Sequence, residues 1–372
     1  MIKVVEVISD MNVGGAGRLL VSRIRNSDKH KFKYTVILPK GSGLTPFLKR
    51  VCDDIVFMDG CFDRSLDLKC ILKLYKIIKN LSPDIVNSHG CMSARIAGKL
   101  ANVKLNLYTR HCDFPIKKLY TYPFVIASVG FITNILSDGV IAVSHSAKSN
   151  LSSLGIDRKR IKVIVNGAEK MTGISFAEKQ KIKTGLKIPA DAIVVSIFAR
   201  LEPYKDHITF LRSARVLSNF KNIYFLIVGN GSLELSLKEY AEKLGISERT
   251  RFVGFVDDVS PLMNITDINT NCSVGTETSS LALSEGMSLG IPAVASDYCG
   301  NKYIVKDRVN GLIFPQRDYY TLAKKILLLV RDKKIYHRLS ENSKKRFGRE
   351  LNSKRMTEET EKYYIEMLKR KY

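Results

Sequence analysis

The sequence has no tryptophan, so its aromatic load falls on 16 tyrosines and 16 phenylalanines. Its seven cysteines (52, 61, 70, 91, 112, 272 and 299) are odd in number and form no C-x-x-C pair. That argues against a disulfide framework or a zinc site and for reduced thiols in a cytoplasmic setting. Long apolar runs are missing too. The longest, 122–136, is interrupted by Pro123, Ser128, Gly130, Thr133 and Asn134. It falls short of the roughly 20 residues that span a bilayer. Residues 1–9 contain Glu6 and read as a strand, not as a secretory leader. Acids are scarce: 36 Asp and Glu stand against 60 Lys and Arg, a formal net charge of +24. Residues 1–168 hold 26 basic and 12 acidic side chains, and the remainder 34 and 24. Such a field favours phosphates, acidic lipid surfaces or nucleic acid. A lysine-rich proteome would give the same excess.

What is present is a repeated rhythm: a short β-branched run, a turn, then a helical period. In the first half the runs are 2–9, 33–39, 54–58, 84–89, 105–110, 139–144 and 161–166. In the second they are 192–200, 224–231, 251–255, 268–273, 291–296 and 311–315. Helical periods separate them, as in LKCILKLYKIIKNL (68–81). Strands alternating with helices predict parallel sheets covered on both faces. With 372 residues, 45% of them hydrophobic, two such domains can each bury a core. The polar, lysine-rich stretch 167–191 lacks a strand and reads as a linker with the lead-in helix of the second domain. The expected division is a Rossmann-like α/β domain over 1–168, a second over 169–350, and a helix over 351–372 able to cross back to the first.

In open α/β sheets, ligands bind beyond the carboxyl ends of the strands. Three features lie there. Gly14-Gly15-Ala16-Gly17-Arg18 follows the first run; glycines permit positive φ and close backbone approach, and the next helix offers N–H groups to an anion. A plain tight turn is the alternative, and the dinucleotide fingerprint G-x-G-x-x-G is absent. Arg200 and Lys205 follow the run 192–200, where two cations could hold a diphosphate and stabilise it as it leaves. A solvated basic loop is the bland reading. Glu277 and Glu285 lie eight positions apart, the first in a Ser/Thr-rich loop and the second on the helix that loop opens. Eight helical residues rise roughly 12 Å. Thr278, Ser279 and Ser280 are candidate caps, so the positive helix end between the acids could face phosphates. A satisfied structural Glu285 among Leu281, Leu283, Met287 and Leu289 is the alternative.

With these residues the sequence resembles the retaining family 4 glycosyltransferases of the GT-B fold. Their E-x7-E motif matches Glu277 to Glu285. Further matches are GGAGR (14–18), NGAE (166–169), ARLEPYKD (199–206), LIVGNGSLE (226–234), FVGFVDDV (252–259) and GIPAVASDYCGN (290–301), in the expected order over nearly the whole chain. Three positions depart, at two places: Thr278 and Ser279 stand where glycines are common, and Ala199 stands for the Gly before Arg200. The resemblance implies two Rossmann-like domains facing a central cleft. It implies that Arg200 and Lys205 bind the donor diphosphate, Glu285 the ribose and Glu277 the donor sugar. Backbone N–H groups of Ser280 and Leu281 would approach the phosphates, with Ser279 and Gly254 beside them. Gly14 and Gly15 would close the donor site from the first domain. His111, after the run 105–110, would lie near the anomeric centre; His89 reads as a hydrogen-bonded structural histidine.

No D-x-D triplet occurs. The expectation is therefore metal-free, retaining transfer of a hexose or N-acetylhexosamine from a nucleotide-sugar, a UDP-sugar foremost, with no cofactor. The acceptor would be a glycan or lipid-linked molecule received by the first domain. The segment 113–137, with Lys117, Lys118, Tyr120, Tyr122 and Phe124, could rest on an anionic membrane surface at the inner face of the cell membrane. A buried helix pair behind a basic loop is the alternative. A sugar-nucleotide epimerase of the same fold is the nearest rival. A basic nucleic-acid-binding protein is a more distant rival that would account for the charge, but no nucleic-acid partner is expected, because no basic helix is interleaved with aromatics.

Overall fold

The computed structural model of the protein describes residues 1–11, 13–52, 54–59, 67–111, 122–275 and 277–371. The chain forms two compact units: Met1–Ala168 with Ser353–Tyr372, and Glu169–Asn352.

In the first unit the apolar runs become β1 (Ile2–Ile8), β2 (Phe32–Pro39), β3 (Asp54–Met58), β4 (Ile85–His89), β5 (Leu105–Arg110), β6 (Gly139–Ala142) and β7 (Ile161–Val163). They pair in parallel in the order β3-β2-β1-β4-β5-β6-β7. In the second unit they become β8 (Ile193–Phe198), β9 (Ile223–Val228), β10 (Thr250–Gly254), β11 (Ile268–Asn271), β12 (Ala293–Ser296) and β13 (Gly311–Phe314). Their order is β10-β9-β8-β11-β12-β13, again all parallel. Each sheet thus reverses direction once, between β1 and β4 and between β8 and β11. Those switch points open a crevice at the strand ends, where ligands of such folds bind.

Helices cover both faces of each sheet, which is why most of the strands are apolar runs. Val194, Val195 and Ile197 on β8 are all buried, and Phe210 meets Phe225 edge-on at 5.8 Å in the core beside them. The helices start where small polar side chains satisfy their first amides. Asp67 accepts from Cys70 N, Ser144 from Ala147 N and Asp332 from Ile335 N. The lead-in helix of the second unit, Phe176–Gly185, opens with a reciprocal capping box between Ser175 and Glu178. The final helix, Ser353–Lys371, belongs to the first unit: its Glu361 accepts from Ser27 Oγ at 2.6 Å, and Asn26 reaches Ser353 Oγ. Of the five described cysteines, four are buried and Cys299 is exposed. Among the described residues no helix is long and apolar enough to cross a membrane.

Candidate active site

In the second unit the chain leaves β8 through Ala199, Arg200 and Leu201. Buried Leu201 anchors this turn: its N–H donates to Asn230 O and its carbonyl accepts from Leu233 N. The neighbouring turn after β9 must pass very close. A Cβ on Gly229 would lie 2.1 Å from Ala199 O, and Gly229 also has φ +137°, so only glycine fits. Gly254, ending β10 at φ +81°, accepts from Gly229 N at 2.8 Å. The chain then makes a short turn, Pro203–Lys205, before Asp206 caps the helix His207–Val216. Tyr204 stitches the two sides of the switch point together, since its carbonyl accepts from Val274 N in the loop after β11. Its ring takes Arg200 and Lys205 on its face, at 5.6 and 5.5 Å, and its hydroxyl accepts from Arg200.

Across the switch point Lys205 Nζ donates to Glu277 Oε2. The same oxygen accepts from Asn271 Nδ2 and Ser273 Oγ, both at 3.2 Å. Burial alone would raise the Glu277 carboxyl; the Lys205 charge and these three donors outweigh it and hold the group below its ordinary value. Asn271 is itself oriented: its Oδ1 accepts from Ser273 N at 2.9 Å and from Asn301 Nδ2 at 3.2 Å. Gly300, beside Asn301, packs under the glutamate; a Cβ there would sit 2.3 Å from Glu277 O. Ser280 then caps the helix Leu281–Leu289 by accepting from Leu283 N at 3.3 Å. The result is a fixed carboxylate, two cations and a helix N-terminus around one strand end. That set can neutralise a diphosphate and accept hydrogen bonds from sugar hydroxyls.

The first unit has its own buried charge at the corresponding place. Glu6 lies on β1 with no exposure at all. Arg23, from the helix Gly15–Arg25, pairs with its Oε1 at 2.5 Å, and Tyr364 OH donates to the same oxygen. Asn87 and His89, both on β4, reach Oε2 at 2.9 and 2.8 Å. Burial would raise the Glu6 carboxyl, but Arg23 and His89 bring it down to about 2. His89 continues the chain to His111, with Nδ1 and Nε2 only 2.6 Å apart. His111 is half-buried just beyond β5. Burial first, then His89 and Arg23, holds its imidazole well below the ordinary value. Both histidines line a cavity of about 20 Å³ with Arg23, Thr109, Asn166 and Thr360.

Residues 178–346 match the family model described as Glycosyl transferases group 1, and residues 13–170 match Glycosyltransferase Family 4. The chain belongs to these glycosyltransferases. A relative, the Escherichia coli UDP-Gal:alpha-D-GlcNAc-diphosphoundecaprenol alpha-1,3-galactosyltransferase, is 24% identical over 96% of this chain and 95% of its own. The capsular polysaccharide biosynthesis glycosyltransferase CapM of Staphylococcus aureus is 24% identical over 82% of each chain. Anabaena HepE in complex with UDP-glucose superposes with a TM-score of 0.85 over 98% of this chain and all of the other, at 19% identity. The two α/β units of this glycosyltransferase are the GT-B fold.

Of the site residues read from the sequence, the glycosyltransferase brings Lys205 and Glu277 into contact. It sets Arg200 against Tyr204, exposed, within the same turn. Glu285 is half-buried on the helix Leu281–Leu289, and Ser279 Oγ is buried beside that helix start without a hydrogen bond among the described residues. Gly14, Gly15 and His111 belong to the first unit. Two expectations need correction. The helix begins only at Leu281, so four helical steps, about 6 Å of rise, separate its start from Glu285; the rise of an eight-residue helix does not describe the Glu277–Glu285 spacing. Nor does GGAGR use positive φ: Gly14 has φ −96°, and Gly17 is needed because a Cβ would meet Leu44 at 2.3 Å. Gly15 does face open space. The sequence reading missed Asn271, Ser273 and Asn301, although three consecutive buried polar residues in β11 (Asn269, Thr270, Asn271) were a signal. It also missed the Glu6–Arg23 pair, whose signal was an acid inside an apolar strand.

The helix Pro123–Leu136 buries only Gly130 and Thr133. Phe124 is 83% and Phe131 67% exposed, so this helix is not one of a buried pair. Lys117, Lys118 and Tyr120 lie outside the described residues. Among the described residues no three His, Cys, Asp or Glu side chains gather closely enough to hold a metal.

Proposed function

We propose that the glycosyltransferase moves a hexose or N-acetylhexosamine from a UDP-sugar, with retention and without a metal ion, to a lipid-linked or cell-surface glycan acceptor. The observation that carries this reading is the Lys205–Glu277 pair at the switch point, beside Arg200 and the helix start at Leu281. Lys205 and Arg200 meet the diphosphate; Glu277 accepts hydroxyls of the sugar, and Glu285 those of the ribose. Gly254 and the backbone of Ser279, Ser280 and Leu281 lie along the phosphates.

In the retaining step the acceptor oxygen bonds to the anomeric carbon on the face the diphosphate leaves. The bond from that carbon to the phosphate oxygen breaks, and the acceptor proton passes to the departing oxygen. The cations stabilise the charge that develops there. Among the compared proteins, the E. coli relative is named for a UDP-Gal donor and a diphosphoundecaprenol acceptor, and HepE binds UDP-glucose. Both support a UDP-sugar here, and the E. coli relative supports a lipid-linked acceptor. The exposed face of the helix Pro123–Leu136 would rest on the anionic inner surface of the cell membrane, bringing the first unit to such an acceptor.

A thermal-shift screen against UDP, GDP, ADP and their sugars tests the donor, because a bound nucleotide stabilises the fold by mass action. UDP and its sugars should raise the melting temperature most; no shift with any nucleotide would sink the reading. Transfer should persist in EDTA, and loss restored by manganese or magnesium would remove the metal-free claim. Proton NMR of the early product should show the donor's anomeric configuration. Product formed without any acceptor would make the protein an epimerase instead.

A further inference from the structure

Arg95 is a buried cation that no acid balances among the described residues. It sits on the helix Met92–Leu100, which follows β4 at the switch point of the first sheet, and it is 6% exposed. Its Nε and Nη1 carry three of the five guanidinium N–H groups, and neither atom has a hydrogen-bond partner among the described residues. Burial pulls its pKa below the ordinary value; Tyr108 and Cys91 oppose this and Arg110 adds to it, and none of the three is a carboxylate. Buried charges are otherwise paired or hold an ion, because an unpaired one keeps the whole cost of leaving water. Arg23 in the same unit follows that rule through Glu6.

The surroundings of Arg95 are built for a negative guest. Its Cζ stands 4.3 Å from the centre of the Tyr108 ring. A ring face offsets part of the charge but supplies no oxygen acceptors for the N–H groups. A second guanidinium reaches the other end of the same side chain: Arg110, the last residue of β5, donates from Nη1 to Tyr108 OH at 3.0 Å. Its Nη2 donates to Asn150 Oδ1 at 3.4 Å, on the helix His145–Ser153. Arg110 is only half-buried, so the cluster opens to solvent on its side. Two guanidiniums thus flank one tyrosine at the carboxyl end of β5, where ligands of parallel sheets bind. Planar forks of this kind match the oxygens of phosphates.

The neighbouring helix narrows the choice of anion. Asn106 Nδ2 donates to Arg95 O and to Leu136 O, both at 2.7 Å, and so ties the Arg95 helix to the end of the helix Pro123–Leu136. Phe124, Phe131, Ile132 and Ile135 on that second helix are exposed. Cations beside an exposed apolar helix suit a molecule with an anionic head and a hydrocarbon tail. Two forks suit a head with two phosphoryl groups.

We propose that Arg95, with Arg110 beside it, binds the diphosphate of a lipid-linked acceptor. The site lies in a different unit from Arg200 and Lys205. Its assignment to the acceptor rests on the reading above that the acceptor is lipid-linked; the presence of an anion site at Arg95 does not.

Calorimetric titration with inorganic pyrophosphate, farnesyl phosphate and farnesyl diphosphate tests this. The full-length Lys205→Ala protein serves as background, so that the donor diphosphate site contributes least. Farnesyl diphosphate should bind about tenfold more tightly than either of the other two, and adding Arg95→Met should weaken it about tenfold or more. Equal affinity with and without Arg95 would overturn the site. Pyrophosphate binding as tightly as farnesyl diphosphate would make it a site for free phosphates, and farnesyl phosphate doing so would make it a general lipid-phosphate site; either result overturns the acceptor assignment. Arg95→Lys guards against a misfolded variant, since it keeps the charge and loses the fork. It should melt within about 2 °C of its parent and still bind farnesyl diphosphate about fivefold more weakly. Parental affinity in Arg95→Lys would reject recognition by the fork. In turnover, Arg95→Met should raise the KM of a prenyl-diphosphate-linked acceptor about tenfold. Should wild type transfer equally well to a soluble glycan without phosphate, the lipid-linked reading is what fails, while the titration still decides whether Arg95 holds a diphosphate.

Discussion

Glu6 and Glu277 are the same device in two settings. Each sits beside the switch point of a parallel sheet, each faces one basic side chain, and each takes further hydrogen bonds from neutral donors. Their surroundings differ. The side chains of Glu6 and Arg23 are 0% and 7% exposed, while those of Glu277 and Lys205 are 10% and 14% exposed on loops at the strand ends. Arginine presents a rigid fork that suits a permanent partner; lysine is a point charge on a flexible stem that can turn to a phosphate. The sealed pair holds other groups in place. The accessible pair is available to a ligand.

The largest effect expected from this contrast is on stability. Arg23→Ala leaves Glu6 charged and buried without its partner, and should cost about 3–5 kcal/mol in urea denaturation of the first unit. A loss below about 1 kcal/mol would break the comparison. On the less buried side, Glu277→Gln and Lys205→Ala should cost less stability than Arg23→Ala and lower transfer by about 10²–10³. Near wild-type turnover in both would remove them from the site.

The pH dependence sharpens the contrast further. His207, buried in the second unit beside Lys205, is brought down to about 4, first by burial and then by that charge. The unfolded chain binds its proton near 6.5, so stability is full above that value and falls as pH drops towards 4. The loss between pH 7.5 and pH 5 should be about 2 kcal/mol, and His207→Leu should flatten it. Glu6 and Glu277 act in a lower window. Both carboxyls are depressed in the fold, so the stability they add is present above the ordinary carboxylate range and is lost as pH falls through it. Calorimetry that shows one acid transition, unaltered by His207→Leu, would rule this out. The smallest effect concerns the surface: Phe124→Ser with Phe131→Ser should weaken binding to anionic vesicles about tenfold at low salt and leave transfer to a soluble acceptor intact. Equal vesicle binding would remove the membrane contact.

Much of this was legible in the sequence, and for identifiable reasons. Most of the strands appear as apolar runs because a strand covered on both faces has no solvent-facing polar side, and the exceptions, in β4 and β11, carry buried polar residues that meet one another or the site. Lys205 and Glu277 are 72 positions apart, and only an ordered set of motifs could place them together; the contact itself exists only in the folded chain. Glu6 was visible as an oddity in β1 but not explicable, since its partners lie as far away as Tyr364, 358 positions along the chain. The exposed face of the helix Pro123–Leu136 was hidden for the opposite reason. A helix that is apolar nearly all round carries no periodicity to show which side is covered.

The last helix has a consequence for how the protein is made. Tyr364 donates to Glu6, and Glu361 accepts from Ser27, so the first unit is completed by residues translated after the entire second unit. Domains tend to fold in the order in which they leave the ribosome. Here the earlier one emerges with its charged centre open on one side and stays so until residues 353–371 follow. The second unit can finish first although it starts later. A nonsense or frameshift change in the codons for residues 353–371 would then damage the first unit and spare the second, which lies next to the lesion.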